Sequence, residues 1–349
     1  MDEQLQAIDK FIKIYTVIIY MDYVKYLTTI AILLVIAILY EKYKSHYLDE
    51  DDMKQYELVR KYLLNDSSLA LSKKPILWIH NDYETNSRWW ASWGSRNTTC
   101  LNQPYQYLTI KSIIDKCGGD FNVCLIDDNT FNKIIPGWTI DMTLLAEPMK
   151  SKFRRIAISR LLRYFGGMII PGSFVCFKSL IEIYEVGVAN TGMFVGEIES
   201  GNGKGPPRSA PMPDMSYPSV EFMGCVKDST AMGEYGGFLE LLASQDYTAE
   251  SDFLGADAKW CMEKIRNHEI NVVDAQLLGS RDANGRLVTL ETILGNSEMT
   301  INDAAFGMSL PGADILRRTK YGWFARMSAK QVLDSNTNAG AVLYYAHSL

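Results

Sequence analysis

The residues from 149 to 170 constrain the fold most strongly, because their apolar spacing changes from helical to strand-like at a pair of glycines. Apolar side chains recur every three or four residues through the first part, at Met149, Phe153, Ile156, Ala157, Leu161, Leu162 and Phe165. This spacing predicts one buried face of a helix. Gly166-Gly167 ends the helix, because glycine adopts the left-handed conformation with little strain. Met168, Ile169 and Ile170 then predict a short buried strand.

Two further apolar runs predict that this strand belongs to a parallel sheet. Residues 75–80 and 121–126 have the composition of strands, and residues 103–117 between them have the periodicity of a helix. A strand, a helix and a second strand of these lengths are typical of parallel strands joined by a right-handed crossover. The sequence therefore predicts an α/β fold, with a mostly parallel sheet flanked by helices, over residues 75–349.

Polar residues follow the first two predicted strands. His80 and Asn81 come after the first strand, and Asp127 and Asp128 come after the second. Ligands of parallel sheets bind beyond the carboxyl ends of the strands, so we expect these side chains on one rim. Arginines on the neighbouring helix are suited to holding phosphate through charge-assisted hydrogen bonds. The predicted cleft comprises Trp78, His80, Asn81, Asp127, Asp128, Arg154 and Arg155.

The two arginines admit a second interpretation. Their helix also carries the basic residues Lys150, Lys152, Arg160 and Arg163. A helix this rich in basic residues commonly presents a solvated face. Such a face would meet acidic lipid headgroups or an acidic partner protein.

The first 45 residues predict attachment to a membrane. Residues 26–40 contain no charge and are rich in isoleucine, leucine and alanine. At ~1.5 Å per residue they span about 22 Å, which is short of a hydrocarbon core of ~30 Å. Lys25 and Lys42 would close the difference by extending to the headgroups. We expect a single-pass anchor over about residues 24–42, a stalk helix and linker over residues 46–74, and membrane lipid as a partner.

Composition argues against several other functions. The net charge of −6 gives no reason to expect nucleic acid as a partner. The six cysteines form no Cys-x-x-Cys pair and the chain has only four histidines, so we expect buried free thiols and no structural zinc site. Residues 201–218 are rich in proline and glycine and predict a flexible loop.

Residues 75 to about 180 resemble the capsular-polysaccharide-synthesis and DXD-sugar-binding group of glycosyltransferases. The matching pieces are the first strand, residues 123–129 with 134–136, and the helix that leads into Tyr164-Phe-Gly-Gly-Met-Ile-Ile170. The resemblance implies a glycosyltransferase A-like (nucleotide-diphospho-sugar transferase) fold. The sequence looks most similar to versions carried by large DNA viruses. That similarity implies a host internal membrane or the virion as location, and other virion or membrane proteins as partners.

The acidic motif of this group is missing at the matching positions. After the Gly-Gly corner and three further residues the family places an acid, often Asp-x-Asp; at these positions this chain has Pro171, Gly172 and Ser173. A divalent ion that bridges a diphosphate requires hard oxygen ligands, so we expect neither a metal nor another cofactor. The missing acids favour a catalytically degenerate binding or structural component. The alternative is an active, metal-independent glycosyltransferase with a nucleotide sugar as its ligand.

Overall fold

The computed structural model of the protein describes residues 74–81, 103–135, 137–199, 216–244 and 250–348. The predicted anchor and almost all of the predicted stalk and linker precede the first of these ranges and so lie outside them. Within the described ranges, no helix is long and apolar enough to cross a bilayer.

A six-stranded sheet forms the centre of the described part of the chain. Its strands are β1 (Ile76–His80), β2 (Asn122–Ile126), β3 (Gly167–Pro171), β5 (Met193–Glu199), β6 (Ser216–Cys225) and β7 (Asn271–Val273), in the spatial order β2-β1-β3-β6-β5-β7. β1 pairs in parallel with β2 and β3, and β5 pairs in parallel with β7. β6 runs antiparallel between β3 and β5. The predicted α/β class and mostly parallel sheet are confirmed.

Helices cover both faces of this sheet. They are α1 (Gln106–Cys117), α2 (Phe131–Ile134), α3 (Met149–Phe165), α4 (Ile181–Val188), α5 (Thr230–Ser244), α6 (Glu250–Arg266), α7 (Leu290–Leu294), α8 (Gly312–Arg317), α9 (Gly322–Ala325), α10 (Ala329–Leu333) and α11 (Asn338–Ser348). A second, two-stranded antiparallel sheet joins β4 (Phe174–Cys176) to β8 (Gly307–Ser309).

The alternation of side chains along β1 separates two cores. Leu77 and Ile79 point to one face of the sheet, where they pack with residues of α1, β4, α4 and the C-terminal helices. Ile76 and Trp78 point to the other face, where they pack with residues of α3, α5 and α6. Successive side chains of a strand therefore contact two different layers of helices, one on each face of the sheet.

The Gly-Gly corner ends α3 as predicted. Gly166 and Gly167 have φ angles of 71° and 91°, which favour glycine, and the Gly166 N–H donates to the Leu162 carbonyl at 2.7 Å. A side chain on Gly167 would collide with the backbone of Ile76, because a Cβ there would lie 2.9 Å from the Ile76 carbonyl carbon. The corner thus brings β3 into close contact with β1.

The prediction of a loop over residues 201–218 is wrong for its last three residues. Residues 216–218 begin β6, and residues 201–215 lie outside the described ranges. Pro218 fits because it lies beyond the part of β6 that pairs with β3, near a shift in register between Val195 and Gly196 of β5.

Candidate functional site

The carboxyl ends of three neighbouring strands meet at one edge of the sheet. His80 lies opposite Ile126 of β2 and opposite Pro171 of β3. The Asn81 N–H donates to the Ile126 carbonyl at 2.9 Å, so the ladder continues to the last described residue of this segment. The structure therefore brings together His80, the residues that follow Ile126 and the corner formed by residues 171–173. We call this edge the rim.

Three basic side chains converge on Asp128 at the rim. Arg154 makes two hydrogen bonds to its carboxylate, from Nε to Oδ1 at 2.7 Å and from Nη2 to Oδ2 at 2.6 Å. His80 Nε2 lies 2.9 Å from Oδ1, and Lys150 Nζ lies 3.6 Å from Oδ2. The four side chains are only 8–17% exposed. We call these four residues the Asp128 cluster.

The Asp128 cluster holds its carboxylate ionised. Burial by itself would raise the pKa of Asp128, but the hydrogen bonds from Arg154 and His80 and the positive charge of Arg154 hold it well below its usual range. The carboxylate of Asp128 is therefore already engaged by the basic side chains around it.

Asn81 lies on the opposite face of the sheet from His80 and packs against the corner formed by residues 171–173. A Cβ at position 172 would lie 2.5 Å from Asn81 Oδ1, so any residue larger than glycine would require the Asn81 side chain to shift. Thr109 of α1 donates its hydroxyl to the Gly172 carbonyl, and the Ser173 carbonyl accepts the Leu310 N–H at 2.9 Å. Asn81 Nδ2 is buried and makes no hydrogen bond to any residue that the structure describes. The corner that carries acids in the resembling family is here a tightly packed turn.

Two of the predicted cleft residues have structural contacts instead. Trp78 is 1% exposed and donates its indole N–H to the Gly166 carbonyl at 3.0 Å, so it belongs to the core beneath α3. Asp127 accepts the Thr130 hydroxyl, and its own N–H donates to the same oxygen at 3.1 Å. These bonds stabilise the turn after β2 and do not involve the side chains that contact Asp128.

Arg155 points away from the Asp128 cluster. Its Nε lies 3.7 Å from Oδ2 of Asp257 in α6, and the Tyr235 hydroxyl of α5 donates to the other oxygen of Asp257 at 3.0 Å. Burial raises the pKa of Asp257 to about 6, although the charge of Arg155 and the bond from Tyr235 oppose the rise. The structure thus separates the two neighbouring arginines, because successive residues of a helix project about 100° apart.

The interpretation of α3 as a solvated basic face is wrong for most of its basic residues, although Arg163 is exposed. Lys150 and Lys152 are buried, Arg154 and Arg155 are paired with carboxylates, and Arg160 pairs with Glu240 at 2.7 Å. Neighbouring segments that are distant in the sequence supply these partners, so the composition of the helix could not reveal them.

Two residues at the rim, Lys150 and Thr109, were not predicted from the sequence to belong to it. Lys150 precedes Arg154 by four residues and therefore shares its helical face, a spacing that could have identified it. Thr109 gave no comparable signal, because nothing in its local sequence indicates that its helix packs against the corner at Gly172.

The described residues of the rim do not fit the divalent metal that the resemblance implies. Pro171, Gly172 and Ser173 offer no carboxylate, and the carboxylate of Asp128 is already bound to basic side chains. In the ranges that the structure describes, no three acidic, histidine or cysteine side chains are grouped as a metal centre would require.

Comparison with known proteins gives little further guidance. No family model matches the sequence, and no curated protein matches it. Among solved structures, the PaToxG glycosyltransferase aligns with 62% of this chain and 81% of its own, at 10% identity and a TM-score of 0.29. This similarity is too distant to transfer a function.

Proposed function

We propose that the chain is a membrane-anchored protein with a glycosyltransferase A-like fold that is degenerate for metal-dependent sugar transfer. It would act as a binding or structural component, in the membrane or particle of a large DNA virus, with membrane lipid and other virion or membrane proteins as partners. The proposed fold rests on the sequence resemblance and on the parallel β1, β2 and β3, which carry its matching pieces.

The state of Asp128 carries the proposal of degeneracy. A metal-dependent transferase needs free carboxylates at the strand ends, because the cation neutralises charge on the leaving diphosphate. Here Arg154 binds the rim carboxylate through both of its oxygens, and His80 and Lys150 lie beside the same carboxylate. Displacing these groups to admit a cation would leave buried charges without partners, which is costly.

The same observation supports one alternative. Arg154 and Lys150 lie at the carboxyl ends of the strands, and arginine and lysine are side chains that hold the phosphate groups of a nucleotide sugar without a metal. A metal-independent glycosyltransferase would use Arg154 and Lys150 to stabilise the departing diphosphate by charge.

A melting experiment on the full-length chain separates these functions. The chain is heated with a panel of nucleotide sugars and nucleoside diphosphates, with and without Mn²⁺. A ligand at about 100 times its Kd stabilises the folded state by about 2.7 kcal/mol, which corresponds to a shift of several degrees. The proposed function predicts no shift with any member of the panel.

A matched pair of variants identifies the site if a shift occurs. Arg154→Ala removes the central cation of the Asp128 cluster, whereas Arg160→Ala removes an exposed arginine of the same helix that pairs with Glu240. A shift without Mn²⁺ that is lost only in Arg154→Ala would establish the metal-independent alternative. A shift that requires Mn²⁺ would refute both functions.

A further inference from the structure

Two cysteines from distant parts of the sequence meet in the core. Cys117 is the last residue of α1 and Cys176 is the last residue of β4, and neither side chain is exposed. Their Sγ atoms are 3.6 Å apart, although 59 positions separate the residues in the sequence. This separation places the two sulfurs in contact as free thiols.

We propose that Cys117 and Cys176 are a redox-sensitive pair that forms an intramolecular disulfide when the protein meets a low-molecular-weight disulfide. A disulfide has an S–S distance of about 2.05 Å, so the two sulfurs together must approach by about 1.5 Å. Rotation of the two cysteine side chains is the simplest way to bring the sulfurs together, since α1 already packs on β4.

The two thiols differ in the way that such an exchange requires. The hydrogen bond between them lowers the pKa of Cys117 below its ordinary value, although burial opposes the change. The same hydrogen bond and burial raise the pKa of Cys176, whose Sγ–H also donates to the Lys178 carbonyl at 3.0 Å. Cys117 is therefore the better nucleophile, because the thiolate is the reactive form.

The chemistry balances with a small disulfide as oxidant. Because neither thiol is exposed, the exchange proceeds through a local opening of the core. In the opened state the Cys117 thiolate attacks one sulfur of the small disulfide, which releases one small thiol and leaves a mixed disulfide. Cys176 then attacks the Cys117 sulfur of the mixed disulfide and releases the second small thiol. Two protein thiols and one small disulfide give one protein disulfide and two small thiols, and the oxidant takes up both electrons.

The cross-link would act on the rim through α1. Two side chains of α1 already bind the segment after β3. The Thr109 hydroxyl donates to the Gly172 carbonyl, and the Ser112 hydroxyl accepts the Cys176 N–H. A disulfide at the end of the same helix would fasten α1 to β4 covalently. The redox state of the surroundings would thereby set how firmly the corner at residues 171–173 is held.

Thiol mapping of the full-length chain tests the proposal. The protein is equilibrated with oxidised or with reduced glutathione below its melting temperature, quenched with acid, alkylated and digested for mass spectrometry. We expect a peptide pair joined through Cys117 and Cys176 only in the oxidised sample. Because the loop closed is long, we also expect oxidation to raise the melting temperature, on the order of 5–10 °C.

Cys124→Ser provides the matched control, because Cys124 is a half-buried cysteine in the neighbouring β2. It should leave both the cross-link and the melting shift intact, whereas Cys117→Ser should abolish both. If Cys117→Ser fails to fold, the peptide map of the unaltered chain decides alone. Thiols that stay reduced, remain as glutathione adducts or pair with other cysteines would overturn the proposal.

Discussion

Replacing Gly167 with alanine tests the close approach of β3 to β1. Gly167 has a φ of 91°, and a Cβ there would lie 2.9 Å from the carbonyl carbon of Ile76 and 3.1 Å from its Cα. Ordinary carbon contacts are about 3.5–4.0 Å, so the methyl group would overlap the backbone of Ile76, which is held by its pairing with Asn122 of β2.

The expected loss of stability has two parts. The left-handed conformation costs an L-residue about 1–2 kcal/mol, and forcing a group into fixed packing costs about 1–3 kcal/mol more. We therefore expect Gly167→Ala to lower the free energy of unfolding by about 2–5 kcal/mol, measured by urea unfolding with far-ultraviolet circular dichroism.

Gly285→Ala separates the two parts of this loss. Gly285 has a φ of 76° but no atom within 4 Å of its would-be Cβ, so it carries the backbone strain alone. We expect a loss of only about 1–2 kcal/mol for this variant. Equal losses in the two variants would refute the argument that β1 leaves no room at position 167.

Two further predictions concern the carboxylates beside Arg154 and Arg155. The pKa of Asp257 is raised to about 6 in the folded state, so its contribution to stability is full at low pH and is lost as the pH rises from about 4 to 6. About two pKa units correspond to ~3 kcal/mol, and urea unfolding across this range should show that decline in the unaltered chain and not in Asp257→Asn. Asp128 has the opposite sign: its pKa is lowered, so its contribution is present above about pH 4 and is lost only as the pH falls further. Asp128→Asn should therefore cost about 3–5 kcal/mol at pH 7, since it removes a buried carboxylate that Arg154 binds through both of its oxygens; a loss below ~1 kcal/mol would contradict the burial of the cluster.

Much of the framework could be predicted because the relevant signals are local. The helical spacing before Gly166, the paired glycines and the apolar run after them correspond to α3, the corner and β3. β1 and β2 were predicted as short apolar runs around a helix of matching length. Their parallel pairing follows from chain connectivity, and that pairing brings His80 and Asp128 to the same rim.

Other features depended on partners from distant parts of the sequence. β6 enters the sheet antiparallel between β3 and β5, and no local pattern specifies that position. Trp78 has the residue type of a ligand platform, but the corner at Gly166 accepts its indole N–H and fixes it in the core. The corner at Ser173 is packed because Leu310, which follows β8, donates its N–H to the Ser173 carbonyl.

The two adjacent arginines of α3 show where the sequence stops being sufficient. By itself the sequence determined that both lie on one helix and project in different directions, because helical geometry is local. Only the tertiary structure decided that Arg154 meets Asp128 at the rim while Arg155 meets Asp257 beneath α5 and α6. The physical reason is that a charged side chain is held by the counter-charge that packing brings within reach, and packing joins segments that local sequence cannot relate.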